Sequence, residues 1–593
     1  MMKTLLYIFF LFLPLQIFAT KYYVKNGGNN LADGKSDENA WATIAKVNTF
    51  TFQPGDSVCF KRGSVWREYV RLEVMNGNAT GRITYTNYGE GDLPLFINSK
   101  EENSESDWIN LGANLWRNSD ASFVTEVCNI VFNNGESFGL RMKTFAEVIS
   151  QNQWFYDTAN KYITIYSTEN PAILYEDIEC VLKSSNGKIS IPGNSYVTID
   201  GIAIMYEGRH AIAASGSPSN ITIRNCYIKY IGGALSSSTV RLGNGIEFYG
   251  SANNILIENN YVAHCYDAGI TSQYIGTTAT TVNNFVVRYN VVSNCNMNLE
   301  WFYNNNGTPI GTGDSIIWDN NTLMYAGQEW SYNQRWGTHR GVHLSGSWKD
   351  LALTNCYVRN NIFYVSKWAA VRQAYWWLGE VDWDYNIFYG NPAICESSST
   401  YYYTLSDWQS ANGGDANSLS TDPLLNPDFT LQSESPAIDA GTNLGYTYDY
   451  LGQEVPNGLL PDIGAIERYD EYPPIEPVIV TTIRPYWTSE STAVAGGKVT
   501  STGGGTVSVR GVCWNTTGTP TTSDSKTEDG SGTGAYISLM TGLNNTLTYY
   551  VRAYAINEAG TSYGEELLFR EGILLIDPAT GKPLVKDNKF ITR

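Results

Sequence analysis

The sequence predicts an all-β protein, a long solenoid of stacked β coils followed by a small β-sandwich. Three observations carry that prediction. Between Tyr196 and Gly390 the chain returns every 25 to 40 residues to a related run: ITIRNCYI, ILIENNYV, FVVRYNVV, SIIWDNNTL, CYVRNNIF and VDWDYNIF. Each run alternates aliphatic and polar residues, the period-2 pattern of a strand. One slot in the run is small and usually amide-bearing: Cys226, Asn260, Asn290, Asn321, Asn361 and Asn386. Asn tolerates a bend, and Asn residues stacked coil on coil can satisfy each other's amides. A unit of this length cannot bury its apolar face alone, so the coils must stack.

The ladder resembles the right-handed parallel β-helix repeat proteins of the pectin-lyase-like fold. The opening YYVKNGG…AWATIAKVNTFTFQPGDSVCFKRGSVW and the closing DPLLNPDFTLQSESPAIDAG…LPDIGAIE resemble the same family, so the likeness covers roughly residues 21 to 468. It implies a right-handed parallel β-helix over 20–468. It implies no single chemistry, because that fold hosts lyases, hydrolases, epimerases and non-catalytic adhesins. The clustered aspartates of calcium-dependent pectate-lyase-like sites are missing. So are the Asp-rich and Gly-His-Gly signatures of polygalacturonase-like enzymes and the Asp-Pro-His-Asp signature of alginate epimerases. Those families are disfavoured.

In chain order, residues 1–19 read as a cleaved export signal. Lys3 supplies the charge, LLYIFFLFLPLQIF the apolar run and Ala19 the small residue at the cleavage point. The N-terminal cap spans about 21–60, with a strand at Lys21–Val24 and a short amphipathic helix at Ala40–Val47 presenting Trp41, Ile44 and Val47. Such a helix covers raw strand edges. Residues 103 to 180 fit the ladder poorly, and their Trp108, Trp116, Trp154 and Tyr156 predict a β elaboration beside the early coils. The repeat core runs over about 189–390. Asp422 to Glu467 is expected to seal the last coils. YDEYPPIEP (469–477) reads as an acidic, proline-rich linker. Over 478–570, short alternating strands predict the sandwich, and YYVRAYAINEAGTSYG resembles fibronectin type III-like modules, which implies a spacer or presentation role. The tail 571–593 carries one possible strand.

Composition narrows the partners. A net charge of −19 and a pI near 4.7 argue against nucleic acid, which needs a basic surface. No segment after the signal is apolar enough to insert in a membrane. The expected product is an exported, secreted or periplasmic monomer acting on polysaccharide. Nine cysteines is an odd number, and Cys226, Cys265, Cys295 and Cys356 occupy repeat positions, so most read as packing thiols rather than bridges. No metal-type spacing occurs, and neither a metal nor a cofactor is called for.

Ten or eleven residues after most ladder slots comes the next strand: HAIAASG, NGIEFYG, AGITSQY, NLEWFYN, RGVHLSG and AAVRQAY. Ile212, Ile246, Ile270, Leu299, Val342 and Val371 should point inward. The following residues, Ala213, Glu247, Thr271, Glu300, His343 and Arg372, should form one outward, solvated column. The spacing before Glu300 is one short, which leaves Trp301 as the alternative outward residue. The spacing is 21 from Cys226 to Glu247 and 22 from Asn321 to His343, so two coils carry about ten extra residues before the column. These are the loops 232–244 and 326–339, and long loops on one solenoid face usually build the binding site. The column suggests acid–base catalysis by Glu247 and Glu300, tuned by His343. Arg372, Asp267, Trp330, Tyr332, Arg335 and Trp336 are the candidate substrate-binding residues, aromatic rings for sugar faces and Arg for acidic groups. Each has a structural alternative: a solvated strand residue, a hydrogen-bonding core histidine, a charge neutraliser or a corner residue. A glycoside hydrolase is narrowly favoured over a polysaccharide lyase, with a non-catalytic glycan-binding protein as the third reading.

Overall fold

The computed structural model describes residues 19–119, 123–237, 240–304, 311–328, 330–335, 341–347, 351–373, 380–469, 477–503, 505–571, 585–586 and 589–590. The expected signal and most of the expected linker and tail lie outside them. The chain divides into two compact units, 1–468 and 469–593.

The first unit is a right-handed parallel β-helix. One coil consists of Ser219–Arg224, Tyr227–Ile231 and Ile246–Tyr249, and the next of Ala252–Glu258, Tyr261–Cys265 and Ala268–Ile275. Each strand pairs in parallel with its equivalent one coil on: Ile221 with Ile255, Ile228 with Val262, Ile246 with Ile270. Three long sheets result, at about 4.8 Å per coil. Ile, Val, Leu and Phe of every strand fill one continuous interior. All nine cysteines are free and buried, in line with packing thiols.

The Asn ladder stacks at the corner between the first and second sheets. Asn260 donates from both its backbone N–H and its side-chain amide to Oδ1 of Asn290, at 3.0 and 2.9 Å. Asn290 does the same to Asn321, Asn321 to Asn361, and Asn361 to Asn386. Asp415 ends the stack by accepting from Asn386 Nδ2. The bend itself falls one residue earlier, where Asn225, Asn259, Asn320 and Asn360 take left-handed backbone angles near φ 51–56°. Just before that bend lies a column of alternating charge: Asp200, Arg224, Glu258, Arg288, Asp319, Arg359, Asp384. Arg224, Arg288 and Arg359 each bridge to the acid of the preceding coil at 2.7–2.9 Å.

The ends differ from expectation in detail. At the N-terminus, Lys21–Val24 starts the first sheet against Ser57–Lys61. The helix is only Ile44–Asn48, capped by Thr43, and Trp41 instead bridges to Val24 and stacks on Tyr22. At the other end the seal is a helix that the repeat pattern did not reveal, Leu405–Asn412, whose buried Trp408 packs edge-on against Trp383 and donates to Asp415. Residues 422–467 do pack on the last coils, where Leu431, Ala437 and Ile463 meet Ile362 and Ile387, but they reach further. They run across several coils as a strap: Asp449 O accepts from Asn259, Thr442 O accepts from Asn360, and the Tyr446 hydroxyl donates to Asp319.

Residues 108–182 form the expected elaboration. A five-stranded sheet and the Val127–Phe132/Ile178–Leu182 pair share a core of Trp108, Trp154, Tyr156, Ile163 and Phe132. The second unit is a β-sandwich. One sheet holds Ile479–Ser489, Thr492–Ser501 and Gly534–Thr541, and the other is built on Val509–Asn515 and Tyr549–Asn557. Val480, Ala495, Val512, Trp514 and Val551 are among its core residues. Among the described residues no helix is long and apolar enough to cross a membrane, a statement that does not bear on β-barrels.

Candidate functional site

The third sheet carries the column. Its register runs Ala213, Glu247, Thr271, Glu300, Ser345, Arg372, Glu396. Glu247 and Glu300 therefore share a column two coils apart, which puts their Cα atoms about 9.6 Å from each other at ~4.8 Å per coil. Trp301 faces inward, 2% exposed and packed on Trp318 and Tyr303, so the outward residue is Glu300. The column is not an open solvated face. Glu247 and Glu300 are each only 8% exposed, with neighbouring side chains packed against them.

His343 is not in the column. Twenty-four residues separate Asn321 from Ser345, against 11 from Asn361 to Arg372. The second loop is thus three residues longer than the first, and taking Val342 rather than Leu344 as the inward residue misplaces the strand by two. Leu344 takes the interior position, while Val342 lies in the outer cluster with Met297 and Ala369. His343 pairs in register with Asn298 at the corner, its Nδ1 lies 3.0 Å from the Asn298 amide, and its ring meets Phe363 of the core. It is fully buried, and burial pushes its pKa down to about 3. It is a neutral core histidine and cannot tune either glutamate.

The glutamates instead have partners that spacing did not reveal. Oε2 of Glu247 accepts from Asn244 Nδ2 at 2.6 Å and from Gln273 Nε2 at 2.9 Å, with His210 Nδ1 at 3.1 Å. The same His210 nitrogen accepts the backbone N–H of Asn244. Burial lowers the His210 pKa, so the imidazole is neutral and its contact with Glu247 is not an ion pair. Oε2 of Glu300 accepts from the Thr271 hydroxyl at 3.0 Å. Tyr249 and Tyr274 extend the same face, rings 5.4 Å apart.

Both elongated loops stand at the corner before this sheet, and they meet. Each leaves and re-enters its coil through a glycine neck. A Cβ on Gly232 would fall 2.4 Å from Gly243 Cα, and one on Gly327 2.4 Å from Gly341 Cα. Arg241 of the first loop donates to Gln334 O of the second, and Gln334 in turn bonds Asn129 and Gly139 of the side elaboration. Arg335 pairs with Asp267 at 2.7 Å, beside the Glu247 and Glu300 coils. Trp330 is 4% exposed and sandwiched against Phe138 and Tyr266, so it braces the loop and is no open sugar platform. Tyr332 is half-buried beneath the Lys367 amine. Arg372 lies 2.8 Å from Glu396, an acid that the ten-residue count from Asn386 reaches. Trp336 lies outside the described residues. Among those described, no three His, Cys, Asp or Glu side chains converge as a metal site requires.

A family profile described as a right handed beta helix region matches residues 177–366. No curated protein matches the chain. Similar solved structures include pectate lyase Pel9A, at 14% identity and TM-score 0.40 over 77% of this chain and 98% of that one. The GH136 lacto-N-biosidase from Eubacterium ramulus is similar at 14% identity and TM-score 0.31, and the chain aligns with 64% of its length and 62% of its own. An alginate lyase from Paenibacillus sp. is similar at 12% identity and TM-score 0.32, over 60% of this chain and 89% of that one.

Proposed function

We propose that the chain is an exported enzyme that cleaves a polysaccharide along the third sheet, by hydrolysis. The observation that carries this reading is the pairing of Glu247 and Glu300 on one column, two coils apart, on a sheet with both elongated loops at its corner. Two carboxyl groups separated by roughly 6.5–9.5 Å leave room for a water and a glycosidic bond between them, the arrangement of an inverting glycosidase. Leaning of the two side chains brings carboxyls on Cα atoms ~9.6 Å apart into that window.

Glu247 suits the base, since two amide donors hold Oε2 in place for accepting a proton from water. Glu300 suits the acid, since its Thr271 partner can donate or accept as the proton leaves. Arg335 and Asp267 fix the loop beside this pair, and Arg372 with Glu396 continues the column towards a second region of sugar contact. The sandwich unit then presents or spaces the β-helix outside the cell, as its likeness to fibronectin type III modules implies.

Elimination is the second reading, favoured by the arginines in the same face. A lyase needs a cation to neutralise the uronate carboxylate and a base for the C5 proton. Arg335 and Arg372 already face Asp267 and Glu396, and His343 is inside the coil, so hydrolysis is preferred. Neutral and acidic polysaccharides assayed for reducing ends and for ultraviolet absorbance of unsaturated products separate the readings. Reducing ends alone are expected. Both signals would mean elimination. Neither, with binding retained, would leave a glycan-binding protein.

A further inference from the structure

A cavity lies on the edge where the chain enters the third sheet, away from the glutamates. It encloses about 390 Å³ and is lined by Tyr332, Lys367, Trp368, Pro392, Tyr401 and Tyr403. Its floor is an outer layer of Ala268, Met297, Val342, Ala369 and Ala393, on which Trp368 and Tyr401 pack. Trp368 Nε1 donates to the Tyr401 hydroxyl at 3.2 Å, and the Tyr401 and Tyr403 rings lie parallel within 17°. Tyr403 is 65% exposed, an unusual position for a large ring that a neighbouring Tyr holds in place. The Lys367 amine stands over the Tyr332 ring at 5.8 Å and makes no ion pair among the described residues. The loop neck presses on the Lys367 stem, since a Cβ on Gly341 would lie 2.7 Å from Lys367 Cβ.

We infer that this cavity is a distal subsite for an acidic sugar unit, with the rings against the sugar face and Lys367 on its carboxylate or sulfate. The inference rests on the reading that the third sheet takes polysaccharide. Flat rings alone would serve a neutral sugar, so Lys367 is the group that sets the class. A chain of net charge −19 repels polyanions at long range, and only a local cation can offset that for an acidic unit. Trp368 stands just before the strand Ala369–Gln373 and precedes Arg372 by four residues, on the order of 13 Å. With Arg372 three coils beyond Thr271, which lies between the two glutamates, the cavity is on the order of 20 Å from the proposed cleavage point. That is a subsite distance rather than a reacting one.

The test is equilibrium binding to the full-length protein carrying Glu300→Gln, with three probes. Oligogalacturonate offers carboxylates, carrageenan oligosaccharides offer sulfates, and cellohexaose is neutral. At least one acidic probe should bind, weaken about tenfold on Lys367→Gln, and weaken again with added salt. Which acidic probe responds identifies the group recognised. Tyr403→Ala should weaken the same probe, while Lys367→Gln leaves cellohexaose and the melting temperature unchanged. Unaltered binding of both acidic probes by Lys367→Gln, no binding of either, or tighter binding of cellohexaose than of both would overturn the inference. Binding does not depend on turnover, so a parent protein that releases no products would refute the hydrolase reading and leave this result standing.

Discussion

Glu247 and Glu300 differ from the other charged side chains of the β-helix in what surrounds them. Asp200, Glu258 and Asp319 of the corner column each face an arginine of the next coil, whereas Oε2 of Glu247 faces two amides and the neutral His210 ring and Oε2 of Glu300 a hydroxyl. Neutral amide donors orient the carboxyl of Glu247, which suits a group that must exchange protons. The column positions of both glutamates were legible in the sequence. Glu300 lies ten residues past Asn290 on a coil without a long insertion, and Glu247 follows Ile246 in a run that resumes its neighbours' alternation after the 232–244 loop. His343 was misplaced, since an insertion's length is not set by the repeat. His343 still has a measurable consequence. Its folded pKa, about 3, lies below the ordinary 6.5, so between these values the unfolded chain binds a proton that the folded chain refuses. Its contribution is complete above pH 6.5 and is lost as pH falls towards 3, to a limit of about 4–5 kcal/mol. Denaturant midpoints at pH 7 and pH 4 should fall less steeply in His343→Gln than in the parent. Equal falls would show that the imidazole is not held neutral.

At the scale of the element, the ladder does two tasks at once. Each Asn oxygen takes two donors from the preceding coil, and each Asn nitrogen also satisfies backbone carbonyls, for Asn290 those of Ile257 and Arg288. Removing one rung strands buried donors on one side and acceptors on the other, and each orphan costs about 1–3 kcal/mol. Asn290→Ala should therefore lose roughly 3 kcal/mol in chemical denaturation, while an exposed strand Asn such as Asn253 should cost well under 1 kcal/mol. The ladder and the two loops were readable from spacing alone. The alternating charge column was present in the same runs, in IRN, IEN, VRYN, IWDN, VRNN and DWDYN, but sign alternation appears only when the coils are in register. The strap 422–467 and the helix Leu405–Asn412 could not be placed, because their partners lie on coils 30 to 190 residues away.

The whole molecule is two units with separate cores, one continuous through the coils and one between the two sheets of the sandwich. A chain ending at Arg468 keeps every coil, the strap and the terminal helix. It should melt cooperatively and turn over soluble substrate like the full chain. Aggregation or a broadened transition would show that the sandwich is integral to the fold. The central claim is that one face of the β-helix cleaves a polysaccharide with Glu247 and Glu300. It is tested most directly on any substrate the parent cleaves, by comparing turnover in Glu247→Gln, Glu300→Gln and the double variant. Each single change should cut kcat by on the order of 10²-fold or more, and the double variant should fall by much less than the product of the two. Full activity in both single variants would contradict the site, and with it the proposed hydrolysis.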